Sequence, residues 1–449
     1  MMMMVDNTLE KEDDNVAFKL AGIVVDDIRF GKLPAEVVSK AELFLLNGLG
    51  CLVAGRATEI GRGINFDESL TGKEKRWVET VKPTPEQYKM YRDASGTFST
   101  ELTTVCLAGI NHPDSVVVPV LLNMGQKESS REAIVEALVA GTEVMAKIGI
   151  LLNPSLYYKG WHSTGVCGIF GAAAVACKLL QKTKEETANA FQLAAGLASS
   201  DFYRLDKKYP VIKVANPGIA SVAGVSAATQ EQQKNCGAEL KRTSVDDFVG
   251  TFRDGNNNSQ SIDWTRYDIL ELFFKSMPVV CAFHAILEPL HDLLAKNQID
   301  AADIAKIKVG YHKIPSDYYS GHTARSVYGA QTSLPYSVAI LAKTHHAGIE
   351  TFTKDVLKDK DVQRIADSVE IVPSERKGTD DLIAGEIELV LAGGEKYSGK
   401  VDKALGCSPK DVPAKFFQLA RFGGLNEEAA RRVYRKIADK EYDLEDLRI

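Results

Sequence analysis

The sequence predicts a mainly α protein that also carries a smaller α+β part. Three observations support this. Residues 15 to about 265 read as all-helical, with apolar residues at helical spacing. Between about 266 and 400, strand-like runs alternate with helical stretches. Past 400 the helical pattern returns, and this tail is expected to pack back on the first part.

The chain has 449 residues, long enough for two or more domains. Hydrophobic residues make up 45% and charged residues 25%, a globular balance. A net charge of -6 argues against a nucleic-acid binder. The seven cysteines are odd in number, scattered, and free of any CxxC pair. That pattern suits a reducing compartment and offers no structural zinc spacing. The acidic, polar stretch 1–15, expected to be disordered, lacks the features of a secretory signal or a transit peptide. The longest apolar helix candidate, 133–152, contains Glu136, Glu143 and Lys147, too polar to span a bilayer. A soluble, cytoplasmic protein is expected.

In chain order, residues 15–29 carry Phe18, Ile23, Val24 and Ile28 at helical spacing. Pro34 suits a helix start, and 35–55 forms a long helix in which Asn47, Gly48 and Gly50 imply close packing or a break. Residues 56–85 read as loop, 88–106 as mixed, and His112-Pro113 opens a short apolar run over 116–122. Capping boxes are expected at Ser129-Ser130-Arg131-Glu132 and at Thr183-Lys184-Glu185-Glu186. Residues 201–217 read as a basic, aromatic connection, and 218–233 as a small-residue helix. Strands are expected at 304–311, 369–372 and 386–391. Ala392-Gly393-Gly394-Glu395 then turns the chain into a fourth over 396–401. Helices are placed at 279–294, 361–366, 413–421 and 427–440, the last capped by Asn426.

The stretch Gly160-Trp161-His162-Ser163-Thr164-Gly165 leads into VCGIFGAAAVACKLL. So many small residues let neighbouring helices approach closely, so this helix is expected to be central. Its start places His162, Ser163 and Thr164 beside unpaired backbone N–H groups, which favour anions. Those residues also fit a buried packing helix with a hydroxyl cap and a satisfied core histidine. No phosphate loop, dinucleotide fingerprint, HExxH or GxSxG is present. His345-His346 reads as a solvated pair in a polar loop. What remains is a scatter of His112, His162, Lys213, Lys275, His284 and Tyr336 at loop-to-helix junctions. Each alone also suits a turn, a snorkelling lysine or a packed ring.

GWHSTGVCGIFGAAAVACKLL resembles the signature of the MmgE/PrpD family, which includes 2-methylcitrate dehydratase, cis-aconitate decarboxylase and iminodisuccinate epimerase. INHPDSVVVPVLL, KVANPGIASVAGVSAA, FFKSMPVVCAFHA, AQTSLPYSVAILA and ALGCSPKDVPAKF resemble further family segments, in the same order, over about residues 15–440. The resemblance implies a large helical domain built from 1–265 and 401–449, with an α+β lid, 266–400, inserted between them. It also implies a homodimer, no metal or organic cofactor, and an active site between the helical domain and the lid. His112, His162, Lys213, Lys275 and Tyr336 match the family's histidines, lysines and tyrosine. Where many members carry D-x-D-D-T, this chain reads Glu101-Leu102-Thr103-Thr104-Val105. Glu101 takes the place of the first aspartate.

All three reactions require a carbanion equivalent or a mobile proton beside a carboxylate, with cationic donors to steady the charge. Lys213, Lys275 and the helix entrance with Ser163 and Thr164 suit that need. His112 and His162 are the candidate acid and base. Tyr336 is a candidate proton donor, and Glu101 orients His112 or acts as a base. The expectation is a cofactor-independent lyase on a small di- or tricarboxylic acid, of the 2-methylcitrate dehydratase (hydro-lyase) type. Alternatives are an epimerase (isomerase) of an amino- or iminodicarboxylate, cis-aconitate decarboxylase, or a catalytically silent binding homologue.

Overall fold

The computed structural model describes residues 15–63, 83–198, 211–230, 244–252, 262–374 and 380–449. The expectations for residues 1–14, 64–82, 201–210 and 231–233 lie outside the described residues. The longer helices are α1 (Ala35–Ala57), α2 (Pro85–Ser99), α3 (Asp114–Met124), α4 (Arg131–Leu152), α5 (Ser163–Leu179), α6 (Lys184–Ala198), α7 (Val211–Thr229) and α8 (Ser244–Phe252). They continue with α9 (His284–Asn297), α10 (Leu334–Thr344), α11 (Lys360–Ser368), α12 (Val412–Phe422) and α13 (Glu427–Ala438). The fold is mainly α with one small sheet.

That sheet has strands β1 (Ile304–His312), β2 (Val369–Ser374), β3 (Gly385–Leu391) and β4 (Lys396–Val401), in the order β2-β1-β3-β4. β1 and β2 run parallel, joined by a crossover through α10 and α11. β3 pairs antiparallel with both β1 and β4. The expected hairpin turn is present, closed by Gly394 N–H donating to Leu391 O at 2.9 Å, with Gly394 at φ +94°. Only glycine adopts that angle without strain.

Among the described residues, two large apolar cores organise the chain, with two small clusters beside them. The first is formed by helices before residue 253, by Ile269, Leu272 and Phe274, and by the tail through Val412, Phe416, Val433 and Leu447. The second runs from Val279 to Leu389 and sits between the sheet and α9–α11. The helical tail therefore packs back on the first part, with α12 lying along α1.

Helix α5 lies at the centre of the first core. Every residue from Ser163 to Cys177 is buried. Its small side chains allow α7 and α4 to pack tightly against it. A Cβ at Gly224 of α7 would stand 2.2 Å from the Ile169 carbonyl oxygen. Helix α1 is long and apolar enough to cross a membrane, yet 83% of its most apolar window is buried inside the fold. It is thus longer than the 133–152 candidate, and its apolarity serves the core. Gly48 lets Val118 of α3 approach, so close packing rather than a break explains the small residues there.

Several local expectations change. Residues 56–63 are helical, through the end of α1 and a short helix Glu59–Gly63. The 88–106 stretch is helix α2 up to Ser99, opened by a capping box at Thr84 and Gln87. Ser130 caps α4 through the Ala133 N–H, so no box forms at Ser129. The box at Thr183 and Glu186 is present. The chain is already helical at Val211, so Lys213 and Pro217 both lie inside α7. Tight packing on α5 overrides the local cost of that proline. Helix α9 starts at His284, after a turn at Cys281–Phe283. His284 Nε2 accepts from the Ser276 and Met277 N–H groups, which holds the irregular Lys275–Val280 stretch in place of more helix.

Candidate active site

The site grows from the C-terminus of α2. The helix stops at Ser99, and Glu101 takes a left-handed backbone, φ 53°. A non-glycine residue rarely adopts this conformation, and it costs about 1 kcal/mol. Side-chain contacts from three separate elements hold it there. Glu101 Oε1 accepts from Lys213 Nζ at 2.8 Å and from Tyr328 Oη at 2.9 Å. Its Oε2 accepts from Lys275 Nζ at 3.0 Å. Burial pushes the Glu101 carboxyl up, but Lys213 and Lys275 outweigh that and hold it well below the usual carboxylate range. Two ammonium groups face one carboxylate, which leaves the cluster net positive.

Helix entrances supply the two histidines. His112 precedes α3, and its Nδ1 pairs with Thr103 Oγ1 at 3.1 Å. Its backbone N–H donates to Thr164 Oγ1 at 3.2 Å. His162 caps α5, and its Nδ1 meets Asn216 Nδ2 at 3.1 Å. Phe98 lies edge-on to both rings, with centroids 5.1 and 5.4 Å away. Burial pushes both imidazoles down, and nearby lysines push the same way: Lys275 for His112, and Lys213 for His162, which falls to about 3. Both rings are therefore neutral at neutral pH.

A cavity of about 70 Å³ opens at this point, lined by Glu101, His112, His162, Thr164, Lys213, Tyr157, Tyr319 and Cys281, among others. Lys213 Nζ sits between the Phe98 and Tyr319 rings, 5.2 and 5.5 Å from their centroids. Cation–π contact adds to the ion pair in fixing the ammonium. Each wall comes from a different part of the fold, since Tyr319 and Cys281 follow residue 275 while the histidines precede it.

Three of the residues singled out in the sequence stand elsewhere. Tyr336 does not line the cavity. Ser333 caps α10 at the Tyr336 N–H, and the Tyr336 side chain is buried in the second core. Lys275 is fully buried behind Glu101 and also donates to Val279 O at 3.0 Å. Ser163 Oγ donates to Asn153 Oδ1 at 3.1 Å, away from the cavity lining. Of the two threonines at the family's acidic positions, Thr103 orients His112. The Thr104 N–H donates to Asp114, which lies two residues past His112. His345 ends α10 in a left-handed conformation, and His346 pairs with Glu350 at 2.7 Å.

The family model for the MmgE/PrpD N-terminal domain matches residues 20–241, and that for the C-terminal domain matches residues 277–440. The chain belongs to the MmgE/PrpD family. This family includes lyases such as dehydratases and decarboxylases. A cis-aconitate decarboxylase-like protein, oryM of Aspergillus oryzae, is 26% identical over 240 residues, which cover 49% of this chain and 48% of the relative. The chain thus spans about half the length of that curated relative.

Sequence reading marked Thr103 only as a replacement for a family aspartate, and it missed Tyr157, Tyr319, Tyr328 and Asn216. None stands in a spacing that signals chemistry. Tyr328, for example, lies on the short helix Val327–Gln331, and only the tertiary fold brings it to Glu101.

Proposed function

We propose that the chain is a lyase acting on a small di- or tricarboxylic acid, with elimination of water as the first reading. One observation supports this most directly: two neutral imidazoles, His112 and His162, face one small cavity beside the Lys213 ammonium. Elimination next to a carboxylate needs a base for the carbon-bound proton and an acid for the departing hydroxyl. If Thr103 Oγ1 accepts from His112 Nδ1–H, Nε2 of that ring is left as a base. Asn216 Nδ2 donating to His162 Nδ1 leaves Nε2–H of that ring as an acid. Lys213 meets the substrate carboxylate as negative charge builds up. Glu101 is fully engaged by two lysines and Tyr328, so it orients the cations and does not act as the base. Tyr319 and Tyr157 supply further hydroxyls at the cavity wall.

The Aspergillus oryzae relative favours a second reading, loss of carbon dioxide from a tricarboxylate. That reaction leaves an electron pair on carbon and needs only a proton donor, which His162 supplies.

The test is to incubate the protein with methylcitrate, cis-aconitate and iminodisuccinate in heavy water and follow the products by NMR. An olefin from methylcitrate supports elimination, and carbon dioxide with itaconate supports the second reading. Deuterium exchange with inversion alone points to an epimerase, and no change in any acid removes the lyase reading. His162→Ala and Lys213→Ala are expected to fold and to lose at least a hundredfold in kcat/KM. Near-wild-type turnover in either takes that residue out of the mechanism.

A further inference from the structure

Helix α12 sends one lysine into the protein beneath the site. Lys415 is 7% exposed. Its Nζ donates to Leu102 O at 2.8 Å and to Lys275 O at 2.7 Å. Among the described residues no carboxylate forms an ion pair with it. Burying an ammonium against two carbonyls, with Asp114 acting on it only from a distance, is costly, so its location needs a cause. The two carbonyls supply one. Leu102 directly follows Glu101, and Lys275 is the residue whose side chain holds Glu101 Oε2. A single ammonium thus fixes the spacing of the two backbone segments that carry the ends of one buried ion pair.

Neighbouring contacts serve the same loop. Asn47 Nδ2 also reaches Leu102 O, at 3.4 Å, and donates to Asp114 Oδ2 at 2.7 Å. Asp114 accepts the Thr104 N–H with both oxygens at 3.0 Å. The loop is therefore held at Thr104 from α3 and at Leu102 from α12. Because Glu101 has a left-handed backbone, the direction of its side chain depends on where Leu102 is anchored.

We infer that Lys415 is a positioning residue that sets Glu101 and Lys275 against each other, making the C-terminal helix part of the site's machinery. It does not line the cavity. The inference rests on the proposed function only for what the site binds.

Lys415→Met keeps an unbranched side chain of similar volume and removes the donor. Hydrogen exchange on the ligand-free chain provides the first readout. Backbone amides over 101–105 and 273–280 are expected to exchange at least tenfold faster, with α4 and α9 unchanged. Val433→Ala, on α13, serves as a destabilised control whose exchange in those two segments stays as in the wild type. Equal exchange in Lys415→Met and Val433→Ala overturns the inference. The second readout uses citrate as the probe and, where turnover is found, the steady-state constants. Lys415→Met is expected to weaken citrate binding and raise KM about tenfold, with kcat within a factor of three. A general loss of folded protein would instead lower apparent kcat at constant KM, and that outcome also overturns the inference. If the wild type binds neither a di- nor a tricarboxylate, the proposed function fails, while the exchange comparison still decides the role of Lys415.

Discussion

At the residue scale the site turns on Glu101, a carboxylate that is 1% exposed and has three donors. Removing one partner from a buried ion pair leaves the rest uncompensated, at a cost of about 3–5 kcal/mol. Glu101→Gln is therefore expected to lower stability by about 3 kcal/mol in urea melts and to abolish turnover. A loss below about 1 kcal/mol would show that the lysines do not depend on that charge.

His162 sets a pH dependence whose sign follows from its environment. Burial, then Lys213, lowers the folded imidazole to about 3. The unfolded chain titrates near the ordinary value of about 6.5. The unfolded state therefore takes up the proton first as pH falls. The stability tied to neutral His162 is fully present above about 6.5 and drains away towards 3. Glu101 acts in the same direction but only at lower pH, because its carboxyl titrates below the usual range. His162→Gln is expected to flatten the fall in urea midpoint between pH 7 and pH 4. An unchanged slope would mean that this ring is not held neutral.

At the element scale, the small-residue stripe of α5 is a packing device, and the packing places the site. Because α7 lies so close to α5, its N-terminal half delivers Lys213 and Asn216 to the His162 entrance. Gly224→Ala forces a methyl into the Ile169 carbonyl and is expected to cost about 1–3 kcal/mol or more. Gly250 of α8 provides the contrast, since a Cβ there meets nothing within 4 Å. Gly250→Ala is expected to stabilise by up to about 1 kcal/mol, as in an exposed helix interior. Denaturant midpoints of the two variants check both, and equal midpoints would refute the close-approach account. The capping box at Thr183 and the hairpin at Gly394 were legible because each depends on a few neighbouring residues. The helical state of residues 211–217 was not. Pro217 signals a helix entrance locally, and only the burial of the whole helix against α5 explains why the chain is already helical at Val211.

At the scale of the whole molecule, the site lies where the two cores meet. Val105 and Phe273 pair through two backbone hydrogen bonds of 2.8 and 2.9 Å, and Tyr328, packed in the first core, reaches Glu101. The cavity of about 70 Å³ is small beside usual ligand pockets of about 300 Å³ or more. The division into a helical domain of 1–265 with 401–449 and a lid of 266–400 is a proposal that limited proteolysis tests. Homodimer formation is likewise a proposal. Sedimentation equilibrium is expected to give twice the 49.0 kDa chain mass, and a single-chain mass would remove it.

The amino-acid order carries the mainly α class, the four strands, the return of the tail to the first core, and the family. It also marked His112, His162, Lys213, Lys275 and Glu101 as residues of interest. These follow from periodicity, turn chemistry and ordered motifs, all of which are written along the chain. Three-dimensional packing puts Tyr336 in a core while Tyr319 and Tyr328 reach the site. It alone showed that Glu101 is spent on two lysines, that both histidines are neutral, and that Lys415 braces the loop from the far end of the chain. The physical reason is that burial and charge pairing depend on groups more than a hundred residues apart, and their distances are set by packing.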